Sequence, residues 1–380
     1  MNCYRIVSIG TTCNIKMNSF TGQAVMFDGV VDYARQTGIK VDVLDISSRF
    51  IGGKFGRILD YVCVLLKLLI LLLKNKYNLA YIITSQSKYG FYRDFLMISI
   101  CKIFKLKVIT HQYGGNYSQL LSSINKKDLK RLKSMLDYVS KVIVEGDYMK
   151  GQFAFYNGYE NKVVVVPNGL PVEGLNICKE KVWSNKDSFK ILYLSNLILS
   201  KGYFDVLKAV DVLVNKYKRN VECLFVGKFL VAPDDTQSEI YNKETFDRYI
   251  VEKGLNRRVQ YRSGLYGEEK DRAFYESNVF TLPSYYINEG QPVSIIEAMA
   301  YGCVPIVTKF RHIPMMVNYE NGCFVQAKSP ESIASVIIDL MDNPDIYNGK
   351  SRKAIEDYTN HFRFDIFATK VMNIFYQVIN

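Results

Sequence analysis

The sequence predicts an α/β protein of two doubly wound, Rossmann-like domains facing each other across a cleft. Three observations carry this. At 380 residues the chain exceeds what one ordinary core holds. Apolar, β-branched strands alternate with helical segments along both halves, the order that builds parallel sheets. A polar, mixed stretch at 172–188 separates the two series and reads as a linker. The expected domains are residues 1–170 and 171–360, with a C-terminal helix at 361–380 expected to pack back on the first domain.

The first series opens with an apolar strand, Tyr4 to Ile9. A loop from Thr12 to Gly22 comes next, then a helix from Gln23 to Gln36 that Gly38 stops. Lys40 to Ile46 is the second strand, so the loop after the first lies where such sheets hold ligands. It lacks G-x-G-x-x-G and gives little support to a dinucleotide. A helix over 54–76 leads into strand 79–84, and within it the run 61–73, YVCVLLKLLILLL, carries Lys67. A spanning helix needs about 20 apolar residues, so this shorter run reads as a buried or interfacial helix. The opening MNCYRIVSIG lacks the basic region and long apolar stretch of a secretory signal. A helix at 92–104 precedes the stretch 107–116, in which His111 comes directly after a strand. A basic amphipathic helix over 122–134, strand 140–145, helix 147–156 and strand 163–166 bring the series to the turn Pro167-Asn168-Gly169.

The second series runs through strand 190–195, Lys201-Gly202, helix 203–216 and strand 221–226. Pro233 to Lys243 reads as a polar surface insertion, succeeded by helix 244–253, strand 258–262, loop 263–267, helix 268–276 and strand 278–282. The stretch Glu289 to Glu297, EGQPVSIIE, is the centre of this half of the chain. It enters a helix at Pro292, because proline suits the first helical position, where its missing N–H costs nothing. Gly302 stops that helix before a buried strand at 304–308. Beyond the turn at Asn321-Gly322, helices run from 330 to the end.

Hydrophobic residues at 48% and charged residues at 23% describe a folded soluble protein. Eight cysteines are scattered without a C-x-x-C and read as buried thiols in a reducing compartment. The three histidines, 111, 312 and 361, show no metal-ligand spacing, so no metal site is expected. The net charge of +12 is uneven: residues 1–170 hold 23 Lys+Arg against 11 Asp+Glu, and residues 171–380 hold 26 against 26. Such asymmetry points to an anionic partner, with ordinary solubilising lysine as the plain alternative.

A helix N-terminus beside a glycine presents free N–H groups and a positive dipole end, which suits a diphosphate. Glu289 and Glu297 flank that anion site, about 12 Å apart at helical rise. Carboxylates acting together on one glycosidic bond sit closer, about 5–9.5 Å. Spacing therefore leaves two readings open: the pair grips two ends of one elongated phosphate-containing ligand, or it is a capping Glu and a helix Glu without a ligand.

The stretch PSYYINEGQPVSIIEAMAYGCVPIVT (283–308) resembles glycosyltransferase family 4, retaining enzymes of the GT-B fold, with Glu289 and Glu297 as that family's Glu-x7-Glu pair. The likeness extends to VVVVPNGLP (163–171), ILYLSNLILSKG (191–202) and LFVG (224–227), and the chain resembles bacterial polysaccharide and glycolipid synthesis enzymes of that family. It implies that Glu289 faces the donor sugar and that Glu297 accepts hydrogen bonds from ribose hydroxyls. Gly290, Gln291, Pro292 and Val293 would meet sugar and phosphate, and Tyr266 would border the nucleobase. Lys201 would clamp the diphosphate, with Asn196 standing where an arginine is common. His111 would lie near the donor sugar, and Thr21-Gly22 would approach phosphate and acceptor.

The resemblance further implies transfer with retained configuration and without a cofactor or obligatory metal. The expected function is transfer from a nucleotide-diphosphate sugar to a lipid-linked glycan or glycolipid in cell-surface polysaccharide synthesis, of the O-antigen or capsule type. A small soluble acceptor is the alternative. A nucleic-acid partner is not expected, since no recognition helix or aromatic platform is visible. The basic first half and the run 61–73 lead us to expect a cytoplasmic protein held peripherally at the inner face of the membrane.

Overall fold

The computed structural model describes residues 4–13, 22–47, 53–170, 177–184, 187–232 and 235–380. Thr21, most of the loop before it, and the side chains of Lys54 and Arg57 lie outside the described residues, as do parts of the linker and of the 233–243 insertion. The chain divides into two compact units, one of Met1–Pro171 with Phe364–Asn380, the other of Val172–Arg363.

In the first unit, six parallel strands are β1 (Arg5–Gly10), β2 (Lys40–Asp45), β3 (Leu79–Thr84), β4 (Lys107–Gln112), β5 (Lys141–Val144) and β6 (Val163–Val165), ordered β2-β1-β3-β4-β5-β6. The inner strands are apolar almost throughout because helices cover both faces. On one face α1 (Gly22–Gln36) sets Phe27 and Val30 against Ile6 and Tyr81. On the other lie α2 (Gly53–Lys74), α3 (Lys88–Ile103), α4 (Tyr117–Ser123) and α5 (Lys126–Tyr138), with Leu68, Met97 and Leu132 packed over Val7, Ile82 and Val108. Short helices α6 (Asp147–Gly151) and α7 (Tyr159–Lys162) precede β6.

Several boundaries depart from expectation through local hydrogen bonds. α3 begins at Lys88, ahead of residue 92, because Ser87 caps it, accepting from the Gly90 N–H at 3.1 Å. The basic helix expected at 122–134 is two helices, since Asn125 accepts from the Asp128 N–H at 2.9 Å and starts α5 afresh. α6 stops at Gly151, where Gln152 and Phe153 bond three residues back and tighten the chain into a turn.

The second unit has β7 (Phe189–Leu194), β8 (Val221–Val226), β9 (Val259–Arg262), β10 (Val279–Leu282), β11 (Val304–Thr308) and β12 (Cys323–Val325), all parallel and ordered β12-β11-β10-β7-β8-β9. Its helices are α8 (Tyr203–Asp211), α9 (Glu239–Glu252), α10 (Gly267–Glu276), α11 (Val293–Ala300), α12 (Pro330–Asp342) and α13 (Pro344–Asp357). α9 starts inside the expected insertion, where Ser238 caps it, accepting from the Tyr241 N–H at 3.2 Å. The described part of the expected linker is docked. Lys181 Nζ donates to the Phe274 carbonyl at 2.7 Å, and Trp183 Nε1 to that of Met341 at 3.1 Å.

The last helix, α14 (Phe364–Ile379), belongs to the first unit. Phe367, Val371 and Phe375 complete the α1 side of its core, and the Phe375 ring lies 5.1 Å from that of Tyr81. Phe375→Ala is expected to cost about 3–5 kcal/mol, read as a lower denaturation midpoint with an unchanged slope. A loss under about 1 kcal/mol would show the tail to be dispensable. Among the described cysteines none is paired; Cys101, Cys223 and Cys303 are buried, whereas Cys63 and Cys178 are exposed, contrary to the expectation of uniformly buried thiols.

Candidate functional site

In the second unit the strand order reverses between β7 and β10, and open parallel sheets bind ligands at the carboxyl end of such a switch point. β7 ends into Ser195 and a 3-10 turn, Leu199–Lys201. Gly202 has φ +81°, and a Cβ there would sit 2.7 Å from Pro283, so only glycine lets the two strand ends approach. The approach is sealed by the Tyr285 N–H, which donates to the Ser200 carbonyl at 2.8 Å.

This brings Lys201 to Glu289, with Nζ 3.2 Å from Oε1. Ser195 Oγ lies 3.2 Å from the same ammonium, and Ser284 Oγ donates to the other carboxylate oxygen at 2.5 Å. Glu289 is only 5% exposed, so its charge is held by Lys201 and Ser284 and not by bulk water. Tyr193 lies beneath. Burial first, and the Glu289 charge second, push its hydroxyl well above the usual range, so it stays protonated and donates to the Asn196 carbonyl at 3.3 Å.

Gly290 is half-buried, Gln291 and Pro292 are buried, and Val293 is half-buried, leading into α11. Pro292 is the N-cap, not the first helical residue as expected, because its ψ of 108° is extended. No side chain caps α11, so the N–H groups of its first turn are not taken by a capping side chain. Glu297, in the second turn, is 7% exposed and accepts from Lys270 Nζ of α10 at 2.6 Å.

The other expected residues fall differently. Asn196 is exposed beside Ser195, and Tyr266 is 56% exposed at the N-cap of α10. Gly22 is the first residue of α1, in the first unit. His111, also there, is fully enclosed: Nδ1 meets the Tyr81 hydroxyl at 2.7 Å, and the ring stacks on Tyr113 at 4.2 Å. Burial pushes its pKa down to about 3, which keeps the imidazole neutral. His111 is thus enclosed in the core of the first unit, with its buried Nε2 lacking a hydrogen-bond partner among the described residues.

Three members of the site, Ser195, Ser284 and Lys270, are not among the residues that spacing and resemblance indicate. Ser284 stands five residues before Glu289 in the same motif, a signal short enough to read, whereas nothing local marks Lys270. Among the described residues, no group of three His, Cys, Asp or Glu is placed to hold a metal ion.

Residues 177–362 match the family model described as glycosyl transferases group 1. Over 266 residues the chain is 24% identical to the capsular polysaccharide biosynthesis glycosyltransferase CapH of Staphylococcus aureus, covering 69% of this chain and 67% of that protein. Among solved structures it is similar to a glycosyltransferase from Rickettsia africae, with TM-score 0.75, 16% identity and 100% of both chains covered. Anabaena HepE in complex with UDP gives TM-score 0.71 at 15% identity, over 98% of this chain and 100% of that one. At these identities the likeness is one of fold: two Rossmann-like domains of the GT-B class.

Proposed function

We propose that the protein is a retaining glycosyltransferase that moves a sugar from a nucleotide-diphosphate donor to a lipid-linked glycan or glycolipid in cell-surface polysaccharide synthesis, working peripherally at the membrane. The observation that carries it is the Lys201–Glu289 pair at the switch point, beside the uncapped N-terminus of α11. Lys201 and the first-turn N–H groups of α11 neutralise the diphosphate as it leaves. Glu297 accepts from the ribose hydroxyls, exchanging its contact with Lys270 for them. Glu289 faces the sugar and keeps Lys201 aimed. The leaving diphosphate then assists attack of the acceptor oxygen from the same face. CapH, a capsular polysaccharide enzyme, supports the substrate class, and HepE, a UDP complex, supports the donor class.

A melting screen of nucleotide sugars tests the reading, since a ligand at 100 times its dissociation constant adds about 2.7 kcal/mol. Because the diphosphate site is built from a lysine and a helix end, transfer is expected to persist in excess chelator, with anomeric configuration retained. No shift with any nucleotide sugar, or activity lost in chelator and restored by manganese, would overturn it.

A further inference from the structure

We propose that the outer face of the α2–α3–α5 layer docks on an anionic phospholipid bilayer, with α2 lying in the plane of the interface. The proposal deepens the transferase reading and rests on it for its purpose, while the surface itself is read from the first unit alone. α2 is apolar on two opposite faces. Val64, Leu68 and Leu72 pack into the core. Leu59, Val62, Leu66, Ile70 and Leu73, three and four residues apart, form an outward stripe whose members are 40% to 69% exposed. A helix apolar all round is normally enclosed, yet this one shows water an aliphatic ridge about 21 Å long. α3 packs beside α2 and extends the ridge with Leu96 and Ile103. A contiguous exposed patch of this kind marks an interaction surface.

Charge selects the partner. Lys67 and Lys74 are exposed along one edge of the stripe. α5 packs against α3, buries Leu132 and Leu136, and turns Lys126, Lys130 and Lys133 outward. The carboxylates of these three helices are withdrawn, since Asp60, Asp94 and Asp128 are all buried and, among the described residues, only Asp137 is exposed. Aliphatic side chains flanked by outward lysines suit acyl chains beneath anionic headgroups. Among the described residues no helix is long and apolar enough to cross a membrane, so the contact is one of surface attachment.

The full chain should float with phosphatidylcholine vesicles containing phosphatidylglycerol, stay behind with phosphatidylcholine alone, and be released by high salt. Leu66→Ser/Ile70→Ser and Lys126→Gln/Lys130→Gln/Lys133→Gln should each weaken partitioning about tenfold or more. All five side chains are exposed, so thermal melting should change little. Trp183 is the one tryptophan and is buried, so Ile70→Trp adds a reporter whose emission should shift to the blue on anionic vesicles. No flotation at low salt, an unshifted Ile70→Trp emission, or an apolar-stripe variant that binds like the parent would overturn the proposal. So would a concentration-dependent dimer, abolished by Leu66→Ser/Ile70→Ser, in a protein that ignores vesicles. Nucleotide-sugar binding on the same samples judges the transferase reading separately: vesicle binding without it would sink that reading and support this surface.

Discussion

Glu289→Gln is expected to lower kcat/KM by about 100- to 1,000-fold, or roughly 2.7–4 kcal/mol of transition-state stabilisation. Glutamine keeps the shape of the side chain and removes its charge. The ammonium of Lys201, whose side chain is 15% exposed, then loses the carboxylate 3.2 Å away that aims it, and Ser284 loses its charged acceptor. Preorganised charge in a nearly dry site matters most where charge develops, so the loss should appear in kcat more than in donor affinity. Melting should fall by less than a fully buried unpaired charge would cause, because Lys201 still reaches water. Steady-state kinetics with calorimetric donor binding separates these effects. A loss under about fivefold would remove Glu289 from the reacting centre.

Glu297→Gln is expected to weaken nucleotide binding by about 1.5–3 kcal/mol, the usual size for charge-assisted hydrogen bonds, or roughly 10- to 150-fold. Its carboxylate sits in the second turn of α11, 2.6 Å from Lys270, whose side chain is 32% exposed and returns readily to water. Folding should therefore change little. Lys270→Met serves as the control, because it removes the resting partner and leaves the carboxylate free for ribose. Its effect on affinity should be much smaller. Equal affinities for the parent and Glu297→Gln by calorimetry would place the ribose elsewhere.

Much of the architecture was legible because it is local. Parallel strands covered on both faces must be apolar runs, and the strands of both sheets stand close to where β-branched residues cluster. Capping was readable in principle and governed the misplacements: Ser87 lengthened α3, and Asn125 split the basic segment. Pro292 misled because proline's fixed φ serves the N-cap as well as the first turn, and only ψ separates the two.

The sequence by itself determined the two alternating series, the positions of Glu289 and Glu297 around one helix start, and the lysine that comes after β7. These are properties of spacing and composition within a few residues. Tertiary structure decided what spacing cannot reach. Lys201 and Glu289 are 88 positions apart and meet because the strand order reverses between β7 and β10. Lys270 reaches Glu297 from a separate helix. His111 lies within β4, not after it as the sequence suggested, and its ring is closed over by Phe367 of α14. The run 61–73 was apolar in either case. Which of its faces packs and which meets solvent was fixed only when the sheet took Val64, Leu68 and Leu72, because a helix apolar on two opposite faces does not itself say which of them is covered.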